Sequence, residues 1–274
     1  MSDSRVQRVS DHVVWFTPDE RTDRPSLALV SGSRSTVLLE VGASPDHTLS
    51  FLHAADALNL PALRAAVLTH WHWDHSFGGS VLNIPIIGQR ETHAELVHQS
   101  SLDWSDQALD KRVAAGTEIE FCRDMIKLEL PDRSALKIVP PQIVFDDRLT
   151  LDLGGVVCTV EHVGGDHAAD SAVIYVTPDN VLLLGDAHYQ RLYAERHHYT
   201  AAKLIPLLDR LEAFGATTMI GGHDDELFTA SSFSAFASER RHALELVRNK
   251  GEAALAGTTG DEQELVQFML NGLG

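Results

Sequence analysis

Short apolar segments rich in Val, Ile and Leu recur along the chain and alternate with polar stretches. Most of these segments are bounded by Gly, Pro, Asp or Asn, which is the pattern of buried β-strands. The pattern predicts strands at Val13–Phe16, Leu27–Val30, Val37–Val41, Ala65–Leu68, Ile84–Ile87, Val156–Val160, Ala172–Val176, Val181–Leu184 and Thr217–Ile220.

Apolar residues spaced three and four apart, the spacing of an amphipathic helix, occupy several of the intervening stretches. They predict helices over Asp46–Leu58, Ala201–Phe214, Ser232–Arg248 and Asp261–Leu270. An early block of strands, a helical middle and a second block of strands favour two packed sheets with helices outside. Without a repeat or a low-complexity linker, residues 1–274 are expected to form a single domain, with C-terminal helices at about 232–274.

The segment at about 91–132 differs from its surroundings, because it carries many charges and Trp104 but few strand signals. We interpret it as a helical excursion from the sheet framework. Two roles are open at this point. The excursion covers the mouth of a site, or it is a surface helical hairpin without contact to a substrate.

Composition narrows the class of protein. A hydrophobic content of 44% supplies an ordinary core, and a net charge of −17 argues against a nucleic-acid partner. We expect no membrane partner, because no apolar stretch is long enough to cross a bilayer. The segment Met1–Arg8 lacks the apolar core of a secretory signal. The two cysteines, Cys122 and Cys158, are expected to be thiols in the protein core, which is typical of a reducing compartment. A cytoplasmic location is therefore expected, and a homodimer is compatible with the sequence.

Side chains that can bind a metal are most closely spaced after the apolar run Ala65–Leu68. Four of them fall within six positions: His70, His72, Asp74 and His75. Burying such polar groups is costly unless something satisfies them, and a divalent cation does so. In an extended segment His70 and His72 can reach one centre, whereas the adjacent Asp74 and His75 must turn toward another. The spacing therefore favours two cation sites in a loop at a strand end. Trp71 and Trp73 alternate with these residues and are expected to point into packing.

Three more candidate ligands follow strand-like runs next to glycine: His167, Asp186 and His223. Binding sites are commonly built at such loops, where glycine lets backbone approach a ligand closely. Each of them alone is a weak signal. Joined to the first cluster, the three residues indicate a metal site of seven side chains.

The His-x-His-x-Asp-His pattern at residues 70–75, with the later His, Asp and His in order, resembles the metallo-β-lactamase superfamily over about residues 10–225. This resemblance implies an α+β fold, a four-layer αββα sandwich with a dinuclear metal site at one edge. It also implies that His70, His72 and His167 hold one metal, that Asp74, His75 and His223 hold the other, and that Asp186 bridges both. Many members have Asp at the position of Glu40, and Glu40 is expected to orient the metal ligands without binding a metal itself.

The donor set favours two divalent ions, with Zn²⁺ expected and Fe or Mn as alternatives. True β-lactamases of this fold often carry Cys at the position of Asp186, so that activity is disfavoured. Two bridged cations lower the pKa of a water held between them, which yields hydroxide at neutral pH. We therefore expect a hydrolase that attacks the carbonyl of a small ester, lactone or thioester substrate.

Two residues are candidates for a catalytic role beyond the metals. Asp74 could accept the hydroxide proton late in the reaction. Tyr189 lies three residues after Asp186, a spacing that resembles the quorum-quenching lactonases of this superfamily, and its phenol could hydrogen-bond the substrate carbonyl. The alternative for Tyr189 is a half-buried structural tyrosine. Asp166 and Asp170, which flank His167, could orient a ligand imidazole or be simple loop charges.

Two other functions stay open on the sequence alone. Persulfide dioxygenases share the implied fold and hold a single iron with two His and one Asp, a set that His70, His72 or His167 with Asp186 could supply. A non-catalytic metal-binding protein is the third hypothesis, and an intact ligand set argues against it.

Overall fold

The structure is a computed structural model that describes residues 5–273. Within this range, seven strands form a first sheet in chain order, and the pairs from β1 to β4 are antiparallel whereas those from β4 to β7 are parallel. The strands are β1 (Val6–Arg8), β2 (Val13–Phe16), β3 (Leu27–Ser31), β4 (Thr36–Leu39), β5 (Leu63–Val67), β6 (Ile86–Gln89) and β7 (Ile143–Phe145).

A second sheet of six strands in the described part of the chain is antiparallel apart from the parallel pair β11 and β12. Its strands, which lie side by side in chain order, are β8 (Arg148–Asp152), β9 (Val157–His162), β10 (Ala172–Thr177), β11 (Val181–Gly185), β12 (Thr218–Gly221) and β13 (Phe228–Thr229).

The helices between and after these strands are α1 (Pro45–Ala55), α2 (Trp73–Ser76), α3 (Arg90–Gln99), α4 (Asp106–Ala114), α5 (Glu120–Glu129), α6 (Ala201–Ala213), α7 (Ala230–Lys250) and α8 (Gly260–Asn271). Short 3-10 helices occupy Glu20–Thr22, Asp56–Leu58, Phe77–Val81 and Gly251–Gly257. None of the helices within residues 5–273 is both long enough and apolar enough to cross a membrane.

Each sheet is covered on both faces, which explains why its central strands are almost continuously apolar. On β2, Val13 and Trp15 face a core shared with the second sheet, whereas Val14 and Phe16 face α1 and the helices of the 91–132 segment. The second sheet has the same alternation, and its outer face packs under α6, α7 and α8. Three apolar layers therefore separate four structural layers, and the predicted αββα sandwich is confirmed.

All nine predicted strands are present, and no end is displaced by more than two residues. The strand predicted over Val37–Val41 ends at Leu39, because Glu40 adopts a left-handed φ of 64°. The pattern did not predict β1, β7, β8 or β13, which are short or expose much of their length at a sheet edge. The four predicted helices are α1, α6, α7 and α8, and the segment at 91–132 contains α3, α4 and α5.

Strand direction places the candidate residues at one edge of the sandwich. The parallel pair β4 and β5 and the parallel pair β11 and β12 each end next to a candidate ligand or to Glu40. Two backbone hydrogen bonds join the sheets at this edge: Ala172 N donates to Thr69 O at 2.8 Å, and Ser26 N donates to Gly222 O at 2.6 Å. The loops after the strands therefore meet across the gap between the sheets.

Candidate metal centre

The segment after β5 first continues in an extended form and then turns. His72 has φ −54° and ψ 149° at the N-cap of α2, so His70 and His72 precede the helix. Asp74 and His75 lie within α2 itself. The sequence expectation that the two pairs aim at different points therefore agrees with the local backbone.

Three imidazoles form a first cluster, made of His70, His72 and His167. Their candidate ligand atoms all lie within 4.8 Å of one another, and Nε2 of His167 is 2.9 Å from Nδ1 of His72. All three residues are buried. Burial, together with neighbouring imidazoles, lowers the pKa of His70 and of His72, and burial also lowers that of His167. The three rings are neutral at pH 7, the form in which an imidazole nitrogen binds a metal.

A second cluster consists of Asp74, His75, Asp186 and His223, again with all ligand atoms within 4.8 Å. Oδ2 of Asp74 lies 3.0 Å from Nε2 of His223 and 3.1 Å from Nε2 of His75. Asp186 lies between the clusters, since its Oδ1 is 3.4 Å from Nε2 of His75 and its Oδ2 is 3.3 Å from Nε2 of His167. The grouping is the one that the family resemblance implies.

Charge separates the second cluster from the first. Burial opposes protonation of its two imidazoles, but the facing carboxylates outweigh burial, so the pKa of His75 lies well above its ordinary value and that of His223 rises to about 9. Burial likewise disfavours the charged carboxylates, yet the imidazoles hold the pKa of Asp74 and of Asp186 well below the usual range. The two imidazoles of this cluster therefore carry protons, which a bound metal would displace.

A further observation indicates that this set of donor atoms fits a divalent metal. Nε2 of His70, Nε2 of His75 and Oδ1 of Asp186 are buried and make no hydrogen bond with the described residues. Buried polar atoms without partners are costly and call for an explanation such as an ion. The fold and these His/Asp clusters fit a divalent metal site, while the role of each side chain as a ligand stays a prediction.

Glu40 supports the second cluster from behind. Its Oε1 lies 3.4 Å from Nδ1 of His75, and its carboxylate accepts hydrogen bonds from the peptide N–H of Thr69. The two other carboxylates considered for such a role have different partners, since Asp170 accepts from the hydroxyl of Thr92 at 2.7 Å and Asp166 accepts from the backbone N–H of Thr200 at 2.6 Å. Both of those carboxylates are buried supports of loops rather than solvated charges.

Beside the clusters lies a cavity of about 270 Å³. Its lining combines acidic and imidazole side chains with apolar and aromatic ones: Asp23, His72, Asp74, Phe121, Cys122, His167, Asp186, Tyr189, Gln190, Leu192, Tyr193 and His223. Phe121 and Cys122 belong to α5, so the helical excursion does reach the site. Trp71 and Trp73 pack against the core of the first sheet, as expected.

Tyr189 lines the cavity, and its hydroxyl makes two hydrogen bonds. The phenol donates to Oδ2 of Asp224 at 2.8 Å and accepts from the backbone N–H of His223 at 3.2 Å. Burial, followed by the charge of Asp224, raises the pKa of Tyr189, so the phenol keeps its proton. A catalytic role for Tyr189 stays a prediction, and the geometry adds a positioning role toward His223.

Sequence reasoning missed Asp23 and did not single out Phe121 or Leu192 in the lining of the cavity. Asp23 has a left-handed φ of 56°, and its Oδ1 is 3.5 Å from Nδ1 of His223. Burial, followed by the charge of Asp74, raises the pKa of Asp23 to about 7. No local pattern marks this residue, which sits in a polar turn. Cys122 is a core thiol, as predicted, and also faces the cavity.

Comparisons with known proteins bear on the family and the fold. The family model described as metallo-beta-lactamase superfamily matches residues 22–223. Curated proteins offer no match to the sequence.

Solved structures with the same fold are distant in sequence. A metallo-beta-lactamase from Pontibacter korlensis is 20% identical with a TM-score of 0.61, over 85% of this chain and 96% of that one. A metallo-beta-lactamase family protein from Thermus thermophilus is 18% identical with a TM-score of 0.60, over 89% of this chain and 84% of that one. The inverting sec-alkylsulfatase Pisa1 from Pseudomonas sp. is 14% identical with a TM-score of 0.67, over 96% of this chain and 46% of that one. At such identities the likeness establishes the fold alone.

Proposed function

This chain belongs to the metallo-beta-lactamase superfamily, and from that premise we propose that it is a hydrolase which uses two divalent ions to cleave an ester, lactone or thioester bond. The observation that carries the proposal is the convergence of seven His and Asp side chains into two adjacent clusters that share Asp186. A cavity large enough for a small molecule opens on both clusters.

A pair of bound divalent ions supplies hydroxide at neutral pH and polarises the carbonyl under attack. Hydrolysis then adds the elements of water, so the bond from the acyl carbon to the leaving oxygen or sulfur breaks. The hydroxyl stays on the acyl carbon, and the leaving group takes up a proton. The chain offers no Gly-x-Ser-x-Gly elbow as an alternative nucleophile.

The side chains have separate tasks in this scheme. His70, His72 and His167 would hold one ion through neutral nitrogens. Asp74 is ionised, as a proton acceptor must be, although the imidazoles that lower its pKa also make it a weak base. Tyr189 lines the cavity with a protonated phenol, which would donate to a developing oxyanion after its proton turns away from Oδ2 of Asp224.

Zn²⁺ is the metal we propose, because imidazole and carboxylate donors without thiolate suit it, and Fe or Mn would suit the same set. The substrate we propose is a small acyl compound. The cavity volume of about 270 Å³ supports this size.

Chelation and reconstitution test the proposal. Protein freed of metal is expected to lose hydrolysis of its best substrate among acyl-homoserine lactones, glutathione thioesters and nitrocefin. Zn²⁺, Mn²⁺ or Fe²⁺ is expected to restore that activity. Turnover that persists after complete metal removal would refute a metal-dependent mechanism.

The persulfide dioxygenase hypothesis needs only one iron and three ligands. The structure offers a complete second cluster, which that chemistry does not require, and this favours the hydrolase. One iron per chain with oxygen uptake on glutathione persulfide would support the dioxygenase instead. Metal binding without measurable activity on any of the tested substrates would support a non-catalytic metal-binding protein.

A further inference from the structure

The cavity beside the metal centre has two chemically different parts. Asp and His side chains form one part, and the other is an apolar wall made of Phe121, Cys122, Leu192 and Tyr193. The wall comes close to the candidate ligands, since the ring centroid of Tyr193 is 5.2 Å from that of His72. A bound molecule that reaches the first cluster therefore also contacts apolar surface.

Lys and Arg are missing from the described lining of this cavity, and the imidazoles in the lining belong to the candidate metal ligands. Among the described residues that line the cavity, none is Lys or Arg. Proteins hold carboxylate, phosphate and sulfate groups mainly with such side chains, above all with the forked guanidinium of Arg. Asp23 adds a further carboxyl group to the lining.

The cationic side chains nearest in sequence to the lining are committed elsewhere. Arg24, next to Asp23, binds Glu129 at 2.9 Å and Asp46 at 3.1 Å. Arg123, next to Cys122, pairs with Asp124 at 2.7 Å, and Arg191 donates to the backbone oxygen of Tyr193 at 3.2 Å. None of these three guanidinium groups lines the cavity.

The geometry points to an uncharged carbonyl compound as the substrate, with its reacting carbonyl at the His/Asp clusters and its remaining group against the apolar wall. This inference rests on the proposed hydrolase function and narrows its substrate class. It places glutathione thioesters, which carry free carboxylates, among the poor substrates, and neutral lactones and esters among the good ones.

A matched pair of esters tests the charge preference. 4-Nitrophenyl hexanoate and mono-4-nitrophenyl adipate share the leaving group and a six-carbon acyl chain, and they differ in one terminal carboxylate. The expected kcat/KM is at least about tenfold higher for the hexanoate, equivalent to about 1.4 kcal/mol. Equal rates, or faster hydrolysis of the adipate, would overturn the inference.

A pair of variants locates the preference in the apolar wall. Phe121 is half exposed, so Phe121→Arg places a cation at the cavity without emptying the core. It is expected to lower the hexanoate-to-adipate ratio by at least about fivefold through a new charge-assisted contact. Leu128→Arg is the control, because Leu128 is similarly exposed on α5 but lies outside the cavity lining, and it is expected to leave the ratio unchanged. Equal effects of the two variants would contradict the inference.

Calorimetric binding of two uncleaved amides to the protein as purified separates this inference from the proposed function. N-Phenylhexanamide is expected to bind at least about tenfold more tightly than adipic acid monoanilide. If that preference holds while no ester, lactone or thioester is cleaved, the hydrolase proposal fails and the neutral-ligand inference stands. If esters are cleaved but the monoanilide binds as well as the amide, or neither binds, the neutral-ligand inference fails.

Discussion

Oε1 of Glu40 lies 3.4 Å from Nδ1 of His75, on the side of the ring away from the second cluster's carboxylates. The carboxylate is fixed by two contacts to the backbone N–H of Thr69 at 3.2 and 3.3 Å. A carboxylate in this position orients a ligand imidazole and increases its basicity, so a remote charge tunes metal affinity.

Glu40→Gln is expected to weaken metal binding by about 10- to 100-fold, because the amide keeps the shape of the side chain but removes its charge. Titration of the chelator-treated protein with a competing metal indicator measures the change. Glu252→Gln, at an exposed site far along the chain, is the control and is expected to bind metal as the wild type does. Equal affinity in the wild type and Glu40→Gln would exclude the supporting role.

Gly222→Ala is expected to disturb the second cluster directly. An added Cβ would lie 1.8 Å from Oδ1 of Asp186 and 3.3 Å from Cε1 of His75, so Asp186 would have to move. The variant should bind fewer metal equivalents per chain and hydrolyse substrate at least about 100-fold more slowly, since the metals supply several kcal/mol of transition-state stabilisation. Gly257→Ala, whose Cβ would meet nothing within 4 Å, should match the wild type in both respects.

Tyr189→Phe separates a catalytic phenol from a positioning one. Loss of an oxyanion donor is expected to lower kcat by about 100-fold while KM and metal content stay close to the wild-type values. Loss of metal from the variant would instead show that the hydroxyl positions His223, since the hydroxyl accepts a hydrogen bond from the backbone N–H of His223 at 3.2 Å. Unchanged kcat and metal content would mean that the phenol serves neither purpose.

Asp170 gives a pH dependence of stability. Burial raises the pKa of this carboxyl to about 6 from 3.8. The folded state therefore holds the proton longer than the unfolded state does, and ionisation costs stability as the pH rises from about 4 through 6. The cost reaches at most about 3 kcal/mol above that range.

Asp170→Asn removes this cost without altering the size of the side chain. Relative to the wild type, the variant should gain about 1 kcal/mol in free energy of unfolding between pH 5 and pH 7.5. Urea unfolding of both chelator-treated proteins at the two pH values measures the gain, and any hydrogen bond lost to Thr92 cancels in the comparison. A wild-type-to-variant difference that does not change with pH would contradict the assignment.

The framework and the ligand clusters could be predicted because both depend on local patterns. Short apolar runs mark strands that are covered on both faces, and candidate ligands follow β5, β11 and β12 at the same edge of the sandwich. The change from apolar to polar residues at the end of these strands therefore indicates where the site lies.

The apolar wall and Asp23 could not be predicted because long-range packing positions them. The guanidinium of Arg24 donates a hydrogen bond of 2.9 Å to the carboxylate of Glu129, which lies 105 residues away in sequence. This bond connects the turn that carries Asp23 to α5. Glu129 also accepts a hydrogen bond from Ser44. Nothing in the neighbourhood of Phe121 or Asp23 in the sequence signals that both reach the cavity.

Metal counting on two proteins tests the central claim most directly. After reconstitution with Zn²⁺ and removal of unbound metal, the wild type is expected to hold two equivalents per chain, and Asp186→Asn, which lacks the carboxylate shared by both clusters, one or fewer. Fewer than two equivalents in the wild type, or the same count in both proteins, would contradict a pair of ions held about Asp186.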